Sequence, residues 1–140
     1  MNIEYTNSLT IDEFNFLRTA VGWQAIENEL AANGIKNSAF LVCARDGEKA
    51  IGMARVITDY GYVVFVHDVI VLPEYQGNGT GAELMRRVMN YIDENISQGQ
   101  RKIIHLMSKT GKEEFYEKFG FFKRPKDDYG YGMTLLLDKS

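Results

Sequence analysis

The stretch Gln76-Gly77-Asn78-Gly79-Thr80-Gly81 decides how this sequence of 140 residues folds. Half of its residues are glycines, which adopt left-handed backbone angles at little cost and carry no Cβ to keep a ligand off the main chain. An apolar run, residues 63–72, precedes the stretch, and Pro73 ends that run. A strand, a glycine turn and a helix therefore follow one another, and such a unit directs free N–H groups at an anion, most often a phosphate. The helix is marked by apolar residues three or four apart, namely Leu84, Met85, Val88, Met89, Ile92 and Ile96.

Several classes of ligand site use glycine turns, and their spacing separates them. A P-loop requires a glycine, four residues and then Gly-Lys-Ser or Gly-Lys-Thr, and no such run occurs here. A dinucleotide fingerprint is nearly matched by Gly77, Gly79 and Ala82. That fingerprint follows its strand directly, whereas residues 73–76 intervene here, and the next strand ends without the acidic residue that binds a ribose. A nicotinamide-linked enzyme is therefore disfavoured, while a turn without any ligand stays open.

The composition is that of an ordinary globular protein, with 45% hydrophobic and 25% charged residues. This length is typical of one domain, which we assign to residues 1–140. The net charge is −3 and the charges are mixed along the chain, so we expect neither a nucleic-acid partner nor a membrane partner. The sequence shows no secretory signal and no apolar run of the about 18 residues that a membrane span needs. Because Cys43 is the only cysteine and has apolar neighbours, we expect it to be buried in a cytoplasmic protein.

Hydrophobic periodicity and turn residues predict a mixed α/β fold in the order β-α-α-β-β-β-α-β-α-β-β. Thr10 and Glu13 have the spacing of a capping box at the start of the first helix, and Thr110 and Glu113 have it at the last. We expect antiparallel strands first, and then a crossover helix between two parallel strands. The predicted strands are residues 3–6, 40–45, 50–58, 62–72, 102–107, 121–124 and 133–137. The predicted helices are residues 11–20, a short one that ends near 33–34, one that carries 84–96, and 110–119.

Two motifs resemble those of the GNAT superfamily of acetyl-CoA-dependent N-acetyltransferases. The family signature, Gln/Arg-x-x-Gly-x-Gly/Ala, is met by Gln76, Gly79 and Gly81, and its lead-in by residues 69–75. A second family element, Phe-Tyr on a helix followed by Phe-Gly-Phe, is met by residues 115–121. The strand order also matches that of the family, so the resemblance extends over nearly the whole chain.

The resemblance implies a central sheet that splays between its fourth and fifth strands, with acetyl-CoA in the opening and no metal ion. Lys109 and Lys112, which flank the start of the last helix, would contact the phosphates of the cofactor unless they are ordinary surface lysines. The fourth strand would pair with the pantetheine arm through main-chain groups of Val69, Ile70 and Val71. The glycine turn and the helix start would hold the pyrophosphate through Gln76, Gly77, Asn78, Gly79, Thr80, Gly81 and Ala82.

Acyl transfer from a thioester to an amine needs a neutral amine and a proton for the leaving thiolate. The resemblance gives Tyr116 the role of the general acid, and the alternative is a core aromatic that packs on Phe119. Asp68 is the leading candidate for a catalytic carboxylate, since it is a polar residue in an otherwise apolar strand. It either orients the amine or acts through a water molecule, or it is a structural acid with satisfied partners. His67 and His105 are weaker candidates for the base, and many family members use ordered water instead.

The resemblance also indicates the walls of the amine pocket. They are the turn between the first two helices, which carries Trp23, and the last loop, which carries Tyr129. Trp23 is alternatively a packing residue. Asp127 and Asp128 in the last loop would favour a cationic amine, although solvated loop acids are the commoner reason for such a pair.

These observations predict an enzyme, an N-acetyltransferase that acts on a primary amine of a small molecule or a peptide. The amine would attack acetyl-CoA directly in a ternary complex. The alternative is a non-catalytic acyl-CoA-binding sensor module, against which Tyr116 and the intact glycine turn argue. The resemblance is also compatible with a homodimer, for which the sequence shows no specific interface.

Overall fold

The computed structural model of the chain describes residues 2–139. The chain divides into two compact units, Met1–Met107 and Ser108–Ser140. The assignment of residues 1–140 to one domain stays a prediction. Within the described range, every helix is too short or too polar to cross a lipid bilayer.

The first unit is built on a mixed β-sheet. Its elements are β1 Ile3–Thr6, α1 Ile11–Ala20, α2 Asn28–Lys36, β2 Phe40–Asp46, β3 Lys49–Thr58, β4 Val63–Val71, α3 Thr80–Glu94 and β5 Ile103–His105. The order of the strands across the sheet is their order along the chain. Strands β1 to β4 pair antiparallel, and β5 runs parallel to β4 after the crossover through α3. The predicted α/β class with a mixed sheet is confirmed.

Different helices cover the two faces of the sheet. A Cβ on Gly52 of β3 would lie 3.3 Å from Leu84 of α3. Arg55, three residues further along β3, donates to the backbone oxygen of Gly34 in α2 and therefore points to the opposite face. The core between α3 and the sheet is closed, since Leu84, Met85 and Val88 have no exposed surface.

The only cysteine of the chain is buried on the opposite face of the sheet, since its neighbour Ala44 lies beside Gly52 on the face that α3 covers. Cys43 in β2 has no exposed surface, as the sequence predicts. Burial raises the pKa of its thiol to about 11, because the thiolate would lose its hydration in the apolar surroundings. The thiol is therefore protonated and inaccessible at neutral pH.

β4 and β5 part soon after they meet. Their parallel pairing joins Val63, Val64 and Phe65 to the three residues of β5, which ends at His105, whereas β4 continues to Val71. Along residues 66–71, the described strands flank β4 only on its β3 side. This opening is the splay that the resemblance implied between the fourth and fifth strands.

α2 continues beyond its predicted end. The sequence suggested an end near residues 33–34 because a glycine stands there, but the helix runs through Gly34 to Lys36. The carbonyl of Gly34 accepts hydrogen bonds from Arg55 Nη1 at 3.1 Å and from Ser38 Oγ at 2.8 Å. Partners outside the helix thus satisfy its last turn, and tertiary contacts override the local signal.

The second unit contains one helix among its described residues, α4 Glu113–Glu117, which is shorter than the predicted 110–119. The predicted capping box of Thr110 and Glu113 is wrong. Lys112 occupies the N-cap without a side-chain hydrogen bond, and the Glu113 carboxylate accepts from the N–H of Gly111 at 2.8 Å. The Glu113 carboxylate therefore binds the turn before the helix and does not form the predicted capping box with Thr110.

The two strands predicted at residues 121–124 and 133–137 are not formed in the described part of the chain. The pairing recorded there is one isolated bridge, between Lys126 and Tyr129. A strand depends on hydrogen bonds from a neighbour, so an apolar stretch without one stays irregular. We call residues 131–137 the C-terminal segment, and its large apolar side chains are 75% to 89% exposed: Tyr131, Met133, Leu135, Leu136 and Leu137.

Candidate active site

The glycine turn presents free backbone donors at the start of α3. Gly77 and Gly79 have φ angles of 82° and 83°, in the left-handed region that favours glycine. The first helical hydrogen bond runs from the N–H of Glu83 to the carbonyl of Gly79, so the N–H groups of residues 80–82 have no acceptor within the helix. Apart from the glycine itself and its two chain neighbours, no atom lies within 4 Å of where a Cβ would stand on Gly77 or Gly79. The turn is therefore open to a ligand, and its free donors suit an anion.

Side chains hold this turn to the end of β4. Gln76 Nε2 donates to the backbone oxygen of Val71 at 2.9 Å, which joins the glycine turn to the open stretch of the strand. Tyr75 donates its hydroxyl to Asp46 in β2 at 2.6 Å. The residues predicted to hold the pyrophosphate and those predicted to pair with pantetheine, Val69–Val71, are thus consecutive parts of one surface.

A β-bulge interrupts β4 in the middle of the sheet. Met53 pairs with Ile70 and Arg55 with His67, so two residues of β4 stand opposite the single residue between them on β3. Asp68 lies in the bulge with a φ of 54°, which is unusual for a residue with a Cβ. The bulge changes the direction in which the predicted catalytic carboxylate points.

Asp68 is buried and accepts hydrogen bonds from two arginines. Arg18 Nη1 of α1 lies 2.8 Å from Asp68 Oδ1, and Arg55 Nε of β3 lies 2.6 Å from Oδ2. Burial alone would raise the pKa of this carboxyl. Hydrogen bonds from His67 and Arg55 together outweigh burial and lower the pKa to about 2. Asp68 is therefore a weak proton acceptor at neutral pH. The geometry favours a structural acid with satisfied partners, and a catalytic role for Asp68 stays a prediction.

Arg18 connects the bulge to the loop that carries Trp23. Its guanidinium carbon lies 5.2 Å from the centroid of the Trp23 ring, and its Nε donates to the carbonyl of Gln24 at 2.9 Å. Asn15 of α1 fixes the same loop, because its side chain both donates to and accepts from the backbone of Ile26. The structure therefore brings Trp23 and Asp68 together through one arginine. Trp23 itself is half-buried, which suits either a pocket wall or a packing residue.

Sequence reasoning missed Arg18 and Arg55. A signal for both was present, since a carboxylate within an apolar strand requires cationic or hydrogen-bonding partners. Arg55 stands between Ala54 and Val56 in an apolar strand, and Arg18 is the only basic residue of α1. Sequence spacing provides no measure of the distance between these residues and Asp68.

Two histidines lie where β4 and β5 part. His67 is exposed, and its Nδ1 lies 3.3 Å from Asp68 Oδ2. The centroids of the His67 and His105 rings lie 5.8 Å and 6.3 Å from that of Phe65. Both histidines that the sequence suggested as weaker candidates for the base therefore border the splay.

Tyr116 in α4 is buried but keeps a free hydroxyl. Burial raises the pKa of Tyr116 to about 12, and its ring packs edge-on against Phe115 at 5.0 Å and Phe121 at 6.4 Å. Phe119 packs on Phe115 instead. Among the described residues, every fully buried side-chain oxygen has a hydrogen-bond partner, whereas the Tyr116 hydroxyl has none. Its hydroxyl must therefore contact solvent, where it is available as a proton donor.

The other predicted site residues of the second unit lie in exposed loops. Lys109 and Lys112 belong to the turn before α4, in which the N–H of Lys112 donates to the carbonyl of Lys109. Tyr129 packs edge-on against Phe122 at 5.2 Å, with the guanidinium of Arg124 over its ring. The roles of these three residues toward cofactor and substrate stay predictions. The described residues include no cluster of His, Cys, Asp or Glu that would suit a metal ion.

Comparison with known proteins identifies the family. The family described as Acetyltransferase (GNAT) matches residues 5–121. The uncharacterized N-acetyltransferase ycf52 of Pyropia yezoensis is 27% identical over 122 residues, which are 84% of this chain and 68% of that protein. GCN5-related N-acetyltransferase 2, chloroplastic, of Arabidopsis thaliana is 35% identical over 88 residues, which are 58% of this chain and 32% of that protein.

Solved structures agree with this assignment. A protein of unknown function from methicillin-resistant Staphylococcus aureus, described as a probable acetyltransferase, matches with a TM-score of 0.84 at 30% identity, over 96% of this chain and 100% of its own. A GNAT family acetyltransferase from Streptococcus pneumoniae matches with a TM-score of 0.78 at 27% identity, over 99% of this chain and 98% of its own. Sequence, fold and site thus lead to one conclusion: the chain is an acyltransferase that belongs to the GNAT acetyltransferase family.

Proposed function

We propose that this enzyme transfers the acetyl group of acetyl-CoA to a primary amine, on a small molecule or a peptide, by direct attack in a ternary complex. The observation that carries the proposal is the continuous surface formed by the glycine turn and the open stretch of β4, joined by the bond from Gln76 to Val71. A pyrophosphate needs several converging donors, which the N–H groups of residues 80–82 supply. Backbone groups along residues 66–71 suit the amides of an extended pantetheine arm.

Tyr116 would protonate the departing thiolate. A phenol whose pKa lies near 12 remains protonated at neutral pH and is therefore ready to donate. The thiol that forms has an ordinary pKa of about 8.5, so the phenol is the weaker acid and the transfer requires close alignment of oxygen and sulfur. The solvent contact of the Tyr116 hydroxyl supports this role.

His67 is the group that we assign to accept the proton of the amine, directly or through a water molecule. An alkylamine with a pKa near 10.4 costs about 4–5 kcal/mol to deprotonate at pH 7, so a base is needed. An imidazole whose Nδ1 donates to Asp68 keeps the lone pair of Nε2 for this purpose. The two arginines hold the Asp68 carboxylate ionised, which favours this orientation of His67.

The identity of the amine is an open choice between two classes. Histone acetyltransferase TAP1 of Glycine max is 27% identical over 117 residues, which are 76% of this chain and 49% of that protein. That likeness supports a lysine peptide as one class of substrate. Asp127 and Asp128 support a cationic small molecule such as a polyamine as the other.

The test is thiol release from acetyl-CoA across a panel of polyamines, arylalkylamines, amino acids, amino sugars, aminoglycosides and lysine peptides. We expect release with one class, and a loss of about 100-fold in kcat for Tyr116→Phe with acetyl-CoA binding unchanged. A second assay measures the thermal shift with acetyl-CoA and, as a control ligand, with NAD. Stabilisation by NAD alone would contradict the proposed cosubstrate, and turnover within about twofold of wild type in Tyr116→Phe would remove the acid role.

A further inference from the structure

A cavity of about 410 Å³ opens in the first unit, at the end of the sheet where α3 stops. Its lining comes from residues 56–102, all of which belong to that unit. Val56, Val64 and Ile92 contribute buried apolar side chains to it. The glycine turn lies at the opposite end of α3, whose 15 residues span about 22 Å. The cavity is therefore remote from the glycine turn, and its volume is in the range of small-molecule sites.

Three tyrosines give this cavity an aromatic lining: Tyr60, Tyr62 and Tyr91. Tyr60 and Tyr62 stand on the turn between β3 and β4 and are 74% and 63% exposed. Tyr91 of α3 is fixed by stacking on Phe40, with the ring centroids 4.8 Å apart. The cavity thus has one fixed aromatic side chain and two that present ring surface to solvent. Such rings offer a large contact area to a planar ligand.

Tyr60 adopts a backbone conformation that its side chain disfavours. Its φ is 67°, in the left-handed region, although the next residue is a glycine that would adopt this region at little cost. Hydrogen bonds to side chains fix the turn. The N–H of Tyr60 donates to Thr58 Oγ1 at 3.1 Å, and that of Gly61 donates to Asp59 Oδ1 at 2.8 Å. Strained residues of this kind cluster at ligand-binding sites, where the surrounding structure imposes the conformation.

The charged side chains that line the cavity, Arg101 and Lys102, are both cationic. Neither side chain has an ion pair or a hydrogen bond among the described residues. By contrast, the other arginines of the first unit are all ion-paired with a carboxylate: Arg18, Arg45, Arg55, Arg86 and Arg87. The N–H of Ile103, which follows the two cations, donates to the carbonyl of Tyr62 at 2.7 Å. Two cations without a partner therefore adjoin the exposed tyrosines, and they suit an anionic group.

We propose that this cavity binds a small planar aromatic anion. Its ring would stack on Tyr60 or Tyr62, and its carboxylate or phosphate group would pair with Arg101 and Lys102. A cationic ligand is disfavoured, because the described lining contains no Asp or Glu. The proposal does not depend on the proposed cosubstrate or amine, since it concerns a different end of α3.

The first test is a titration of the isotopically labelled full chain, followed by NMR. The probes are indole-3-acetate for carboxylates and 1-naphthyl phosphate for phosphates, with the neutral indole-3-acetamide and 1-naphthol as matched controls. We expect a Kd below about 1 mM for at least one anion, with signal shifts at residues 58–64 and 91–102. The neutral counterpart should bind at least about tenfold more weakly, because it lacks the charged group. Shifts confined to residues 76–82, equal binding of the neutral counterpart, or no binding up to about 10 mM would overturn the proposal.

The second test removes the two cations. We expect Arg101→Gln with Lys102→Gln to lose about tenfold or more in affinity for the anion that binds wild type more tightly. Lys49→Gln with Arg86→Gln is the matched control, since it removes the same charge from two exposed cations that do not line the cavity. The control should keep the wild-type affinity. An equal loss in both double variants would mean attraction to the overall charge of the protein, and it would overturn the assigned site.

The third test separates a binding role of Tyr60 from a structural one. Asparagine tolerates a positive φ better than tyrosine does, so Tyr60→Asn should keep or raise the melting temperature. Because the ring is lost, we expect the affinity for the same anion to fall about fivefold. Unchanged affinity, or a fall in melting temperature, would show that Tyr60 serves the fold and not the ligand, and it would overturn the stacking role.

Discussion

The glycine turn and the bulge both depart from regular backbone geometry, but different forces hold them. In the turn, Gly77 and Gly79 adopt positive φ angles that are local properties of glycine. In the bulge, Asp68 adopts a positive φ in spite of its Cβ, and arginines from α1 and β3 hold its carboxylate. A substitution in the turn therefore changes the backbone at one place, whereas a substitution in the bulge disturbs three elements. We therefore expect substitutions at the two places to differ in the stability that they cost and in the number of elements that they disturb.

The largest effect on stability is expected from Asp68→Asn. Asparagine tolerates a positive φ, so the change removes the charge and leaves the backbone preference nearly intact. Arg18 and Arg55 then lose their buried counterion, and we expect the free energy of unfolding to fall by about 3–5 kcal/mol. Chemical denaturation measures this quantity.

The control for Asp68→Asn is Glu74→Gln, which removes an exposed ion pair with Lys49 at 3.7 Å. An exposed pair of this kind contributes about 0–1 kcal/mol. A loss below 1 kcal/mol in Asp68→Asn would mean that the local conformation, and not the ion pairs, holds the bulge.

A somewhat smaller effect on stability is expected when the pH is lowered. The pKa of Asp68 is about 2 in the folded chain and 3.8 as its ordinary value. This depressed pKa stabilises the fold fully above pH 3.8, and the contribution is lost as the pH falls toward 2. We expect wild type to lose about 2 kcal/mol more than Asp68→Asn over this range, measured by denaturation at a series of pH values. Glu13, whose hydrogen bond from Arg45 holds its pKa at about 2, contributes equally to both proteins and cancels. Parallel stability curves for the two proteins would contradict the assignment.

The smallest effect on stability is expected from Gly79→Ala, which strains the turn by about 1–2 kcal/mol. Gly99→Ala is the matched control, because Gly99 has a φ of 84° and likewise has open space at its Cβ position. We expect both variants to lose similar stability. The affinity for acetyl-CoA, measured by calorimetry, should fall about tenfold in Gly79→Ala only, since its turn presents the donors. An equal loss of affinity in both would mean that the turn does not hold the cosubstrate.

Local sequence signals were sufficient to predict most of the helices and strands of the first unit. The capping box of Thr10 and Glu13 is present, with hydrogen bonds of 3.0 Å and 3.1 Å, and α1 has its predicted bounds. The end of α2 was mispredicted because Arg55, distant in sequence, supplies a hydrogen bond to Gly34. The strand predicted at residues 133–137 was wrong because strand propensity cannot supply a neighbour.

The candidate site likewise has one part that the local sequence predicts and one part that it does not. The glycine turn follows from residues that are adjacent in sequence, so its geometry could be predicted. The partners of Asp68 come from α1 and β3. The ion pair of Arg18 with Asp68 joins residues 50 positions apart, a separation for which no rule of sequence spacing predicts contact. The bulge itself depends on pairing register, and register is a property of two strands together.

The burial of Cys43 determines how clearly this protein can be assayed. A thiol-reactive dye reports coenzyme A as it is released, and the protein's own sulfur is both shielded and protonated. Enzyme added at high concentration for a slow substrate should therefore contribute little background colour. The native chain also serves as a chemically silent background for labelling, in which any cysteine introduced at the surface is the reactive one.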